Sequence, residues 1–589
     1  MCGIAGLMSA DGSAPDREKL ARMCRALRHR GPDGSGSFTD GGVALAHTRL
    51  SIIDLDGGAQ PIQSADGPVL VANAEIYNYR ELRRDMPDIE FLTASDCEPP
   101  LHLYLRDGAD FAATLRGMYA IAIYDPAEAN LLLARDPFGI KPLYYVEGSA
   151  GFAFASEPQA LLASGIASPE LNGTALQELL QLQFTTGRET IFADIRRVLP
   201  GETLTISAGR VVDRRRRQAL PEAAPKPISE SEALKTLEQV MLEAVDLHQR
   251  ADVPYGMFLS GGIDSAMLLA LMARLNEQPV QAFTAGFPDT AVQDERELAR
   301  TLAHKLGAEH VEIEVREDDF WSRLPQAAAA VDDPTADYAV LPTFMLAECA
   351  HAAGLKVVLC GEGGDELFAG YGRYRDAIRP WWSGGPRAMR RHGRFDHLDV
   401  LRQTPAAWRD GIGAAEGALS GVGLNRLQLA QTVDCTDWLP NDLLIKLDRC
   451  LMANQVEGRT PFLDPRVADF ALRLPDGLKV QRGQGKYLLR RWLDNNLPEA
   501  RPFSRKRGFT VPVAEWLARQ SERLGPLVAA QPGIREIARP ERVADLFGRP
   551  GKRRGLAAWT LLFYALWHQT RILGGAADGD VFAVLAETP

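Results

Sequence analysis

The sequence predicts two unlike domains in succession. An α+β half runs to about residue 210, and an α/β half built on a parallel sheet starts near residue 230. Three observations carry this. The first half is dense in short apolar, β-rich runs parted by turn residues. The second alternates buried-strand runs with helical stretches, the pattern of a parallel sheet covered on both faces. Between them, residues 211–229 read "RRRR" and then "LPEAAPKP", a charged, Pro-rich connector. A chain of 589 residues is also too long for one hydrophobic core.

In the first half, residues 17–27 repeat apolar positions at helical spacing. "VLVANAEIYN" reads as a strand that ends in polar residues. "MYAIAIYD" and "NLLLARD" flank the turn-forming "DPAEAN" and predict a hairpin, and "KPLYYVEGSAGFAFAS" predicts two more short strands. In the second half, "VPYGMFLSGGIDSAMLLALMARL" reads as strand, glycine loop, helix. "VQAFTAGF" and "KVVLCGEGGD" are further buried strands, each followed by polar turn residues. "AAWTLLFYALW" is well short of the ~20 residues that span a bilayer and predicts a buried core helix. The tail after about Leu573 offers few anchors and is expected to be mobile.

A net charge of −11 weighs against a general nucleic-acid binder, so the arginine run reads as a solvated connector face. Seven scattered cysteines with no CxxC pair suggest neither a disulfide framework nor a zinc site, which fits a reducing cytoplasm. The N-terminus lacks the basic segment and apolar run of a secretory signal, and no membrane partner is expected.

The chain opens "MCGIAG". A small second residue predicts removal of Met1, leaving Cys2 with both a thiol and a free α-amine. The amine has an ordinary pKa of ~7.7–8.0 and can take the thiol proton, so a nucleophile and its base share one residue. In "LSGGIDS" a strand ends, two glycines turn tightly and a helix begins, so backbone N–H groups and the positive helix end face one point suited to phosphate. Ser260 and Ser265 add hydroxyls. Asp264 would repel phosphate unless Mg²⁺ sits between them. No lysine follows the glycines, so this is not a Walker A loop. "GEGGDELFAGY" supplies Glu362, Asp365 and Glu366 after another apolar strand. In a parallel sheet both loops can meet at the carboxyl ends of strands.

SGGIDS resembles the pyrophosphate loop of the ATP pyrophosphatases, which split ATP into AMP and pyrophosphate. MCGIAG, with "RHRGPDG", "RLSIID", "NAEIYNY" and "SDCEP", resembles the class II glutamine amidotransferases. Taken together, roughly residues 2–570 resemble the glutamine-hydrolysing asparagine synthetases. The resemblance implies an Ntn-type four-layer αββα sandwich over residues 2–212, a linker over 213–229, and an ATP pyrophosphatase domain with added helices over 230–589. It implies that Cys2 hydrolyses glutamine, with Asn73 and the Ala74 N–H as oxyanion hole. Glutamine would lie against Arg49, Leu50, Ser51, Ile52 and Ile53, with Glu75 and Asp96 on its ammonium. ATP and pyrophosphate would meet Phe258, Leu259, Ser260, Gly261, Gly262, Asp264, Ser265, Ala285, Cys360 and Gly361. Asp264 and Asp365 would ligate Mg²⁺, and Glu362 would be the base. Lys506 in "FSRKRGF" would neutralise phosphate charge, with Lys486 in "GQGKYLLRR" second in line. Ammonia would travel inside the protein to an acyl-adenylate of aspartate, and a homodimer is implied.

Three positions depart from the family pattern. Ala74 stands for the usual Gly and would be strained if φ were positive. Cys360 stands for Ser before the GEG loop. In residues 332–343, Tyr338 stands where some members place an aspartate-binding Arg. A different carboxylate acceptor, such as a peptide, a sugar acid or another metabolite, is therefore the alternative reading.

Overall fold

The computed structural model describes residues 2–292, 294–403, 405–504, 510–548 and 551–587. The strand-rich half forms two six-stranded antiparallel sheets. One runs, edge to edge, Arg196–Arg197, Tyr144–Gly148, Gly151–Ala155, Gly3–Ser9, Val43–Arg49, Gly34–Asp40. The other runs Arg210–Arg216, Glu202–Ser207, Asn130–Arg135, Gly117–Asp125, Val69–Ile76, Ile62–Gln63.

Side-chain alternation explains how the sheets stack. Ile4 and Met8 of one strand join Val69 and Val71 of another in the core between the sheets. Their neighbours Ala5 and Leu7 pack outward under helix Arg17–Ala26, while Leu70, Ala72 and Ala74 pack outward under helix Pro99–Asp107. The helix Arg17–Ala26 starts where the Asp16 carboxylate accepts from the N–H groups of Glu18 and Lys19. The result is the αββα sandwich that the resemblance implied. The same parity turns Cys2, Asn73 and Glu75 into the space between the sheets, at one end of it.

The second half holds a five-stranded parallel sheet in the order Glu309–Glu314, Gln281–Gly286, Tyr255–Phe258, Val357–Leu359, Glu457–Arg459. Numbered along the chain this is 3-2-1-4-5. The order reverses between Tyr255–Phe258 and Val357–Leu359, the switch point outside which ligands bind in such sheets. The two glycine loops follow those two strands.

Two expectations need correction. Arg214 to Arg216 are not connector: they complete the edge strand Arg210–Arg216, paired with Glu202–Ser207. Exposed charge is as usual on an edge strand as in a linker, so composition could not separate them. The tail is also anchored. Helix Val581–Ala586 buries Val581, Phe582, Val584 and Leu585, and the Gln531 amide donates to the Leu585 carbonyl at 2.7 Å. The run ending at Trp567 is, as expected, a buried helix, Lys552–Trp567. Among the described residues no helix is long and apolar enough to cross a membrane.

The halves meet through the loop after Val43–Arg49. The Asp252 carboxylate accepts from the Asp54 N–H at 2.8 Å, and the Asp252 N–H donates to the Ile52 carbonyl at 3.0 Å. Lys356 donates to Asp33 at 2.7 Å. Asp252 and Lys356 precede Tyr255–Phe258 and Val357–Leu359, so the first half docks at the amino ends of the parallel strands. Deeper in, Arg30 is fully buried and bonds Glu157 at 2.6 Å and Asp448 at 2.7 Å.

Candidate functional site

Cys2 immediately precedes the strand Gly3–Ser9 and is buried. Its main-chain N–H donates to the Asn73 side-chain oxygen at 3.1 Å. That bond aims the Asn73 amide nitrogen away, and this buried donor has no hydrogen-bond partner among the described residues. An orphaned donor beside a thiol is what an oxyanion hole needs, because it can meet charge that develops later. The Cys2 sulfur lies 4.0 Å from the Leu50 carbonyl, and burial pushes its thiol pKa up.

Arg49 is held by main-chain carbonyls only, those of Leu55 at 3.0 Å, Ile53 at 3.3 Å and Asp54 at 2.5 Å. These neutral partners leave its charge available to a carboxylate. Ser51 is fixed by its N–H to Asp33 at 2.8 Å, and Ile52 and Ile53 are buried. Asp96 accepts from the Ile76 N–H at 2.7 Å, and burial pushes its carboxyl up to about 6. Burial and the nearby Glu457 charge also raise Glu75 well above the usual range. Ala74 sits in mid-strand opposite Tyr119 and is not among the residues with positive φ. The strain considered for this position is therefore absent.

At the switch point, Gly261 turns at φ +63° and helix Ile263–Leu275 begins. Here a Cβ would be strained, which explains one glycine of the pair. The Ser265 hydroxyl lies 3.2 Å from both the Ser260 N–H and the Ser260 hydroxyl, and the Gly262 N–H donates to the Ser260 hydroxyl at 3.3 Å. The loop is thus preformed by its own serines. Leu259 is buried with Phe258 before it, and its carbonyl accepts from Thr284 at 2.6 Å, one residue before the buried Ala285. The second loop closes on the first. A Cβ on Gly364 would lie 2.5 Å from the Asp264 carboxylate, and within the second loop itself one on Gly370 would collide with the Asp365 carboxylate. Cys360 is buried and its N–H donates to the Arg459 carbonyl at 2.8 Å. Gly361 packs on Asp264.

Lys486 ties these loops together. Its ammonium is fully buried, pairs with Asp264, and lies 2.7 Å from Asp365. Burial alone would lower its pKa, but the two carboxylates outweigh it and keep the lysine charged. Lys486, the second candidate in the sequence for meeting phosphate charge, thus lies between the two loops' carboxylates. Lys506 lies outside the described residues. Two carboxylates sharing one ammonium beside a hydroxyl-lined turn form a hard-oxygen donor set, which fits Mg²⁺ shared with phosphate. Among the described residues no group of three or more His, Cys, Asp or Glu could hold a metal by itself.

Burial raises the Glu362 carboxyl pKa, and the Lys446 ammonium opposes the rise. Lys446 is one of several charged neighbours that the motifs did not single out. Arg459 is another: it pairs with Glu75 at 3.0 Å and Glu457 at 2.6 Å, linking the thiol site to the strand beside the GEGG loop. The third is Arg30, which donates to the Cys2 carbonyl at 3.0 Å. All three are charged residues whose burial no local pattern reveals.

The glutamine amidotransferase domain model matches residues 1–216, and the asparagine synthase model matches residues 236–569. A Mycobacterium tuberculosis protein, provisionally named a glutamine-hydrolysing asparagine synthetase, is 34% identical over 96% of this chain and 97% of its own. Glutamine-hydrolysing asparagine synthetase 1 of Bacillus subtilis is 30% identical over 97% of each chain. Asparagine synthetase B of Escherichia coli is 28% identical over 88% of this chain and 83% of its own.

Proposed function

Because this chain belongs to the asparagine synthetase family, we propose that its residues divide one ligation between a thiol site and a nucleotide site. The protein is an ATP-dependent ligase that draws nitrogen from glutamine to make asparagine. The residue roles that follow are our reading.

At the thiol site, Arg49 and the loop of Leu50, Ser51, Ile52 and Ile53 receive the glutamine carboxylate end, while Glu75 and Asp96 receive its ammonium. With Met1 removed, the Cys2 α-amine takes the thiol proton and the thiolate attacks the side-chain amide. The Asn73 amide N–H and the Ala74 N–H hold the oxyanion, and ammonia leaves. The unpartnered, buried Asn73 nitrogen beside Cys2 is the observation that carries this reading.

At the nucleotide site, Ser260, Gly261, Gly262 and Ser265 bind the phosphates through hydroxyls and N–H groups. Phe258, Leu259, Ala285, Cys360 and Gly361 border the nucleotide. Asp264 and Asp365 would hold Mg²⁺, which supplies charge neutralisation on the phosphates. Lys486 balances charge between its two carboxylates and the departing pyrophosphate. Glu362, kept basic by burial, accepts a proton from the attacking ammonia.

The test is to incubate the protein with glutamine, ATP, Mg²⁺ and a panel of carboxylates, and to identify the amide formed by mass. Asparagine from aspartate is expected, and its absence would turn the reading towards another acceptor. Cys2→Ala should abolish glutamine use and leave ammonia-dependent synthesis intact. Loss of both would contradict the division of labour.

A further inference from the structure

Helix Ile445–Met452 carries Lys446 in its first turn and leads into strand Glu457–Arg459, the neighbour of the strand Val357–Leu359 that ends at the Glu362 loop. Its ammonium donates to the Asp337 carboxylate at 2.8 Å, and both side chains are more than nine-tenths buried. Both charges act on Glu362: Lys446 lowers its carboxyl pKa and Asp337 raises it, with Asp264 acting in the same sense as Asp337. Glu362, Lys446, Asp337 and Asp264 therefore face a common neighbourhood that reaches from residues 332–343 to the phosphate loop. Asp442 borders it, satisfied by Gln183, Thr335 and Trp438.

A buried ion pair in such a place, even with Asp337 also accepting from the Ala339 N–H at 3.0 Å, is weak evidence for stability, because desolvation offsets its attraction. It is well suited to another task. An α-amino acid carries the same two charges. Its ammonium can replace that of Lys446 at Asp337, and its α-carboxylate can replace that of Asp337 at Lys446, so no buried charge is left unpaired. We propose that Asp337 and Lys446 are the specificity pair for the acceptor, reading its α-ammonium and α-carboxylate and turning the remaining carboxylate towards the phosphate loop. The positive charge missing at Tyr338 then comes from the helix. This inference rests on the nucleotide-site reading given above and names the acceptor class: a zwitterion with a third, reacting carboxylate.

The experiment measures pyrophosphate release with ammonia as donor and three acceptors. Aspartate carries both α groups, succinate lacks the ammonium, and β-alanine lacks the α-carboxylate. The wild-type chain should prefer aspartate to both. Asp337→Asn should cut kcat/KM for aspartate by about tenfold to a hundredfold and leave succinate nearly unchanged. Lys446→Gln should do the same for aspartate and spare β-alanine, and Lys446→Arg should restore most of the loss. A parallel fall for all three acceptors, or no change in their ratio, would overturn the proposal. Glutamine hydrolysis, and the charge-conserving Asp337→Glu, report whether the variants fold. If the wild-type chain itself yields no asparagine, it is the broader reading that fails, a distinct outcome.

Discussion

The side chain at position 74 points away from Cys2, since Asn73 and Glu75 occupy the face that looks between the sheets. Its methyl packs with Leu70 and Ala72 against the outer helices. Restoring the family glycine should therefore gain no activity. Ala74→Gly should leave glutamine hydrolysis unchanged and lower stability by about 0.5–1 kcal/mol, the usual cost of glycine in a strand, measured by urea unfolding. A faster variant would mean that the alanine hinders the oxyanion hole. At this scale the sequence singled out Cys2, Asn73 and the serines of the glycine turn as candidates, because each lies in a short contiguous motif whose geometry is local. It did not single out Lys446, Arg459 or Arg30, although Arg30 stands inside "RHRGPDG". A buried charge reads like a solvated one until its partner is known, and Asp337 lies 109 positions from Lys446.

The four-residue helix Asp476–Lys479 shows what an element adds. Its Lys479 is fully buried with neutral partners, the Gln431 side-chain oxygen at 3.0 Å and the Leu472 carbonyl at 3.2 Å. The same Gln431 donates to the carbonyls of Glu366 and Leu367, so this helix supports the turn that carries Asp365. Burial pushes the Lys479 amine down to about 7. In the unfolded chain a lysine keeps its proton to a pH of about 10.4. Between those values the unfolded state binds the extra proton, so this group makes stability rise with pH from about 7 to 10. Lys479→Met should flatten that rise, seen by comparing urea midpoints at pH 7.5 and 9.5 with the wild type. An unchanged slope would show that the amine is charged in the fold. Elements with strong periodicity were legible in advance: the hairpin of Gly117–Asp125 and Asn130–Arg135, and the helix ending at Trp567. The edge strand Arg210–Arg216 and the short helix Val581–Ala586 were not. The edge strand closes a hairpin with its neighbour Glu202–Ser207, but its exposed charges read like those of a connector, and the anchoring of Val581–Ala586 comes from residues far away in the chain.

For the molecule as a whole, the two halves are joined by buried charge rather than by a flexible connector alone. Arg30 links the Cys2 carbonyl to Glu157 and to Asp448, and Arg449 continues the network to Asp332 at 2.6 Å. Removing one member leaves its partner buried and undercompensated. Asp448→Asn should cost about 3–5 kcal/mol and lower the thermal midpoint. It should also impair glutamine hydrolysis more than ammonia-dependent synthesis, since Arg30 touches Cys2. Equal loss of both would place the damage in the synthase half.

The docking of the first half at the amino ends of the parallel strands sets a scale for everything exchanged between the halves. The phosphate turns sit at the opposite ends of those strands. Val357–Leu359 is three residues long, about 10 Å of extended chain. The thiol-bearing half and the glycine turns are thus separated by little more than the length of one short strand. Lengthening the sheet's strands would lengthen the crossing, while leaving every catalytic group in its own half undisturbed.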